Sequence, residues 1–450
     1  MELFYVIVLL FFIATFYLVS LKDSVFGISF QKGHYAGFFV FYTFLVFIAP
    51  SAILLNIYPI EHFWVAFKVK QEVVFWVTVV VLLSYMFFIA NLWFIKRLFP
   101  KRFIFEYPEL SNADKITYRK FVYCSVFFAI SLMVLAWFRG AEHSFMSSVI
   151  SGQGVSQSRM ELKSSQFTKF LGYFFSILCP LLMAIVASPV FKNQLISRAA
   201  MVVSIFIVVT WSGNKGPVLS LLLIYFACIL TFSKVRFGVQ FLLKSLLVSA
   251  LLLFFTYRVV LLQYPQLIEW HKFLDYFYQR VFVAQMIGVY EQFSLDIRNS
   301  MYFLHGVPFA SFFVDFPVFQ KDLMMISEDR VDPGSIGIKN TFFIAEAYAM
   351  GGWLFIIPAI FIFSLNYVVS FVVMVGALNL CLAKNSGFNK LISAIVLFSY
   401  VGVTGGFSDL MLFKVTIMIL ILLFPVLFIG YLSRYKFVMK RTVSRTPDSL

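Results

Sequence analysis

Eleven apolar segments run almost end to end through this chain, and one stretch, Arg258 to Thr341, breaks the series. That pattern leaves few folds open. Inside hydrocarbon every backbone N–H and C=O must find a partner within the protein, so serial apolar segments are read as helices. The segments lie near 3–20, 36–56, 73–95, 121–138, 170–190, 199–212, 217–232, 241–257, 353–379, 391–404 and 411–432. Of the 450 residues, 61% are hydrophobic and 13% charged, which excludes a soluble globular domain of this size. The expected fold is an all-α polytopic membrane protein. Its blocks are helices 1–8 over 1–257, a loop over 258–341 holding an amphipathic or re-entrant helix, helices 9–11 over 342–432, and a basic tail over 433–450.

Charge sets the orientation. Lys96, Arg97, Lys101, Arg102, Lys115, Arg119 and Lys120 crowd one link, and Arg434, Lys436, Lys440, Arg441 and Arg445 crowd the tail. Residues 258–342 instead hold seven Lys/Arg against nine Asp/Glu. The positive-inside rule places the tail in the cytoplasm and the long loop on the outer face. The first segment lacks a basic flank and a small-residue cleavage site, so it reads as a retained helix. The net charge of +15 follows from orientation and from anionic lipid on the inner leaflet, and calls for no nucleic-acid partner.

Polar residues near the outer edge are the candidates for chemistry. Lys215 sits in the turn Ser212-Gly213-Asn214-Lys215-Gly216-Pro217, either as a snorkelling lysine or as an ammonium presented to a phosphate where a helix opens at Pro217. Arg258 closes the segment before the loop. Arg280 lies in an aromatic stretch, 273–293, where helical spacing puts Tyr276, Arg280, Ala284, Ile287 and Glu291 near one face. It either grips a phosphate or ties the loop through Glu291 or Asp275. His271, His305, Asp329 and Asp332 each qualify by type as a general base. Glu346 stands alone among apolar residues at the start of a helix, where the dipole favours it as readily as catalysis would. Asp409 and Lys414 have the spacing of an ion pair. Trp270, Tyr276 and Tyr290 could stack on sugar rings or rest at the interface. Four cysteines show no paired spacing, and no His, Cys or carboxylate cluster has ligand spacing, so neither a metal nor another cofactor is expected.

Taken in order, these blocks resemble the Wzy-type oligosaccharide repeat-unit polymerases of O-antigen and enterobacterial common antigen. The family's Gly-x-Arg turn between two short helices is matched by Ser212-Gly213-Asn214-Lys215-Gly216, its Arg before the large loop by Arg258, and its Arg after an aromatic helix by Tyr276-Phe277-Tyr278-Gln279-Arg280. Its closing helix is matched by Glu346-Ala347-Tyr348-Ala349-Met350-Gly351-Gly352. The resemblance covers about 199–380; the N-terminal third matches in hydropathy alone. Lys215 stands where the family often has Arg, and the Arg-x10-Gly pattern of some members is absent at Arg159, Arg280, Arg298 and Arg330.

The resemblance implies a metal-independent, GT-C-like glycosyltransferase of the bacterial inner membrane, working at the periplasmic face. It would move a glycan chain from one undecaprenyl diphosphate to the non-reducing end of another lipid-linked repeat unit, with a chain-length regulator protein as a partner. Lys215, Arg258 and Arg280 would hold the diphosphate, His305, Asp332 and Glu346 would serve catalysis, and Trp270, Tyr276 and Tyr290 would bind sugar. Two other readings remain. An O-antigen ligase would pass the same chain to lipid A-core. A flippase or secondary transporter would need charges through the whole membrane depth and broken helices in both halves.

Overall fold

The computed structural model describes residues 28–29, 34–35, 44–99, 109–140, 166–212, 215–233, 247, 251, 269–308, 310, 313–329, 339–382, 386–400, 406–411 and 414–443. The expected first span 3–20, most of 241–257, Arg258 and Asp332 lie outside the described residues, as do Gly213 and Asn214.

In chain order, a two-residue antiparallel ladder pairs β1 (Ile28–Ser29) with β2 (His34–Tyr35). A π-helical turn, Phe44–Ile48, leads into α1 (Ala49–Ile57). Then come α2 (Gln71–Leu98), α3 (Asn112–Phe138), α4 (Gln166–Ala187), α5 (Leu195–Val209) and α6 (Lys215–Ser233). The polar interruption holds α7 (Trp270–Tyr278), a π-helical turn (Gln279–Val283), α8 (Ile287–Leu295), a 3₁₀ turn (Ser300–Gly306) and α9 (Phe319–Ser327). The chain then forms α10 (Phe343–Gly351), α11 (Trp353–Cys381), α12 (Ser386–Tyr400), α13 (Ser408–Met411) and α14 (Lys414–Val443).

Among the described residues, four helical segments are long and apolar enough to cross a membrane: Gln71–Ile95, Asn112–Phe138, Phe170–Ala187 and Trp353–Cys381. The chain has the build of a helical membrane protein. Several expected spans are short for a physical reason. The 15 residues of α5, and equally of α12, rise only about 22 Å, against a hydrocarbon core of about 30 Å.

Local chemistry sets the helix ends. At α3, the Ser111 hydroxyl accepts from the Asp114 N–H (3.1 Å) and the Asp114 carboxylate accepts from the Ser111 N–H (3.3 Å). This capping box starts the helix nine residues before the apolar run expected at Phe121. Ser111→Ala is expected to cost about 1 kcal/mol, read as an earlier midpoint in a detergent-unfolding titration. An unchanged midpoint would show that α3 does not depend on its cap. At the far end of α4, Arg198 donates to the Ala187 carbonyl (3.0 Å), supplying a partner that the helix end lacks.

The chain divides into two compact units, each assembled from separate stretches of sequence. One holds 105–235, 371–400 and 418–450. In it, α4 is buried on nearly every side, packing against α3, α5, α6 and α12. Its polar core is a chain of bonds from the Tyr118 hydroxyl to Asn389 (2.6 Å) and from Asn389 to Asn379 (2.7 Å). The other unit holds 1–104, 236–370 and 401–417. Its core is aromatic: Phe88, Phe343, Phe363 and Tyr367 pack ring on ring, with Phe343 and Phe363 stacked at 4.3 Å. All the elements of the polar interruption belong to this second unit, beside α2, α10 and α13.

The stretch 273–293 is not one amphipathic helix. The π turn and the bend at 284–286 break it, so Arg280 is exposed while Glu291 is fully buried. An extra residue in a helical turn rotates everything that follows, and the single face expected from 3.6-residue spacing is lost.

Candidate functional site

His305 and Glu346 come together although 40 residues separate them. His305 sits near the end of the 3₁₀ turn and Glu346 in the first turn of α10. The His305 Nδ1 lies 3.8 Å from Glu346 Oε1, with side-chain exposures of 24% and 1%. Ser408, the first residue of α13, bridges the pair. Its hydroxyl is 2.8 Å from His305 Nδ1, and its backbone N–H donates to Glu346 Oε2 (3.0 Å). Lys414 donates to the His305 carbonyl (2.5 Å), fixing the 3₁₀ turn against the start of α14.

Two glycines allow this approach. A Cβ on Gly406 would lie 2.5 Å from Glu346 Oε2, and one on Gly306 would lie 2.9 Å from the Ser408 carbonyl. Any side chain at either place would push the carboxylate or α13 away. The buried acid is thus compensated by one N–H and one imidazole edge, as burial of a charged group requires.

The electrostatics fix the ring. A carboxylate beside Nδ1 favours the tautomer that carries its hydrogen there, donating to the Ser408 oxygen. Nε2 then holds the free lone pair, and it has no partner among the described residues. An imidazole oriented through one nitrogen, with the other open, is the arrangement a general base needs. Next to it, the buried Tyr302 hydroxyl donates to Asp322 Oδ2 (3.1 Å). Burial pushes the Asp322 acid up, partly offset by that hydroxyl. Burial also pushes the Tyr302 phenol up, and the nearby Asp322 and Glu346 charges push it the same way.

Other partners, or exposure to the surroundings, account for most of the remaining residues expected to act. Of the other candidate bases, His271 pairs with Glu269 at the surface (3.3 Å) and Asp329 with Lys68 (2.5 Å), while Asp332 lies outside the described residues. Lys215 opens α6 rather than sitting in a turn before it; its side chain is not described, nor is that of Asp409. Arg280 is exposed on the π turn. Neither expected tie forms, because Asp275 accepts from Gln279 (3.1 Å) and Glu291 from Lys339 (3.0 Å). Trp270 is exposed at the start of α7, and Tyr276 stacks on Trp64 at 5.1 Å. Tyr290 is a core residue, not a sugar platform. Its ring is 1% exposed, its hydroxyl meets Thr78 (3.1 Å), and burial pushes its phenol up to about 12.

Sequence reasoning passed over Ser408, Tyr302, Asp322 and Lys339. The first three are single polar residues whose partners are distant in sequence, so spacing carries no trace of them. Among the described residues no group of three His, Cys, Asp or Glu is placed to hold a metal ion. No protein-family model, no curated protein and no solved structure matches this chain.

Proposed function

We propose that this chain is a polysaccharide polymerase of the inner membrane, a glycosyltransferase with about eleven spans in a GT-C-like arrangement and its site at the periplasmic face. It transfers a glycan chain from undecaprenyl diphosphate to a hydroxyl at the non-reducing end of a second lipid-linked repeat unit. The observation that carries the reading is the His305 imidazole, held through Nδ1 by Ser408 and Glu346 with Nε2 left open.

In this reading the acceptor O–H gives its proton to Nε2 as the oxygen bonds to the anomeric carbon. The bond from that carbon to the lipid diphosphate breaks, and the diphosphate leaves with the electron pair. Glu346 stabilises the imidazolium that results. The leaving group carries away charge that a fixed cation can offset. Arg280, exposed and without a carboxylate partner among the described residues, is suited to that task.

The test supplies lipid-linked oligosaccharide diphosphate to membranes containing the protein and reads product length on a gel. His305→Ala is expected to lower the rate at least about 100-fold, the lower end of what a general base contributes. Products of ordinary length at ordinary rate from His305→Ala would sink the assignment. Transfer to lipid A-core, with none to a second repeat unit, would favour a ligase.

A further inference from the structure

We propose that Asp322 binds the acceptor's sugar hydroxyls. The proposal rests on the glycosyl-transfer reading above and supplies what that reading lacks, a group to hold the sugar that His305 deprotonates.

The placement follows from the 3₁₀ turn. With three residues per turn, positions i and i+3 eclipse, so Tyr302 and His305 leave the same face. The Tyr302 ring is buried edge-on against Phe319, 5.5 Å between centroids, which fixes its hydroxyl. That hydroxyl holds Asp322 Oδ2 at 3.1 Å. Asp322 is therefore kept on the side from which the His305 imidazole projects. The first turn of α9 reaches the site at a second point. Gln320 Nε2 lies 3.0 Å from the position a Gly406 Cβ would take, and Glu346 Oε2 lies 2.5 Å from the same position.

The chemistry of Asp322 suits a hydroxylated ligand. One oxygen is taken by Tyr302; the other has no partner among the described residues, and the side chain is half-buried and reachable. A half-buried carboxylate with one oxygen open accepts hydrogen bonds from sugar hydroxyls, and these are strengthened by its charge. The Phe316 ring, 6.2 Å from the His305 ring, adds an aromatic surface for the apolar side of a sugar.

The experiment uses the full chain in detergent and two probes taken from cells in which it has been deleted. One is their lipid-linked oligosaccharide diphosphate; the other is the oligosaccharide freed from that lipid by mild acid, which lacks the diphosphate a donor must carry. Asp322→Asn keeps an oxygen for Tyr302 and removes the charge. It is expected to weaken binding of the freed oligosaccharide about 10- to 100-fold, the range for hydrogen bonds to a charged group. Its melting temperature should be unchanged, and with the lipid-linked probe, which serves as donor and acceptor, a higher concentration should restore the wild-type rate. Tyr302→Phe, which leaves the carboxylate in place but loose, should weaken binding less. Wild-type affinity in Asp322→Asn would overturn the proposal. So would a melting temperature lowered in step with the loss of binding, since that is the signature of a tie for Tyr302. Failure of the wild-type protein to extend the lipid-linked probe would overturn the glycosyl-transfer reading itself, and the subsite with it.

Discussion

Lys339→Met is expected to destabilise the protein by about 3–5 kcal/mol, the cost of stranding a buried charge. Glu291 is 0% exposed and its Oε1 lies 3.0 Å from Lys339 Nζ. The Phe67 N–H also donates to Oε1, while Oε2 has no hydrogen-bond partner among the described residues. Burial pushes the Glu291 acid up even though the Lys339 charge pulls it down, so this carboxylate depends on its one cation. An acid whose folded pKa is raised contributes fully below its unfolded value, and that contribution is lost as pH rises through the folded value. Without Lys339 the acid rises further. The deficit of the variant should therefore be small near pH 4.5 and largest at neutral pH. The double variant Glu291→Gln/Lys339→Met should recover part of the loss, because it neutralises the more buried pair but leaves Glu328, 3.4 Å from Lys339 in the folded chain, without that cation. Unfolding midpoints in mixed micelles across this pH range check all three statements. A single variant within 1 kcal/mol of wild type at neutral pH would show that water reaches Glu291.

Arg280→Ala should lower polymer formation on the order of 100-fold or more while the protein reaches the membrane in ordinary amount. A charge-assisted contact to phosphate is worth on the order of 1.5–3 kcal/mol, and more if it tightens as the lipid leaves, with each 1.4 kcal/mol a factor of ten. Arg280→Lys should restore part of the rate, since an ammonium cannot grip two oxygens in one plane. The surroundings sharpen the test. Asp275 accepts from Gln279 and Glu291 belongs to Lys339, so Asp275→Asn should leave the rate unchanged. Equal loss from Asp275→Asn would return Arg280 to the role of a loop tie.

Hydropathy made the long helices legible, because a span needs only composition and length. The runs expected at 73–95, 121–138 and 353–379 lie in α2, α3 and α11, and the run expected at 170–190 passes the end of α4 by three residues. Their ends were less legible where polar residues extend a helix, as the Ser111 cap does for α3. The polar interruption was legible as a place but not as a shape. Periodicity assumes one helix, and the π turn at Gln279–Val283 removes that assumption without any glycine or proline to announce it. His305 and Glu346 were legible by residue type. Their meeting was not, because it is made by Ser408 and by the bare backbone of Gly306 and Gly406. Lys339 was least legible of all: a lone lysine before an apolar helix looks like a surface anchor, and only the folded chain puts it 3.0 Å from Glu291.

The contacts at the two glycines carry a consequence for tracing ancestry. Membrane helices exchange one apolar residue for another freely, so overall likeness between distant relatives fades quickly. A backbone that must touch a carboxylate cannot drift in that way. The expected fingerprint is three short strings: His-Gly, then a lone Glu among apolar residues, then Gly-x-Ser, with the His and Ser 103 positions apart and the Glu and Ser 62 apart here. Intervals between the strings are free to lengthen in loops, whereas the strings themselves are not. A distant descendant of the same ancestor is better sought by those six positions than by its spans.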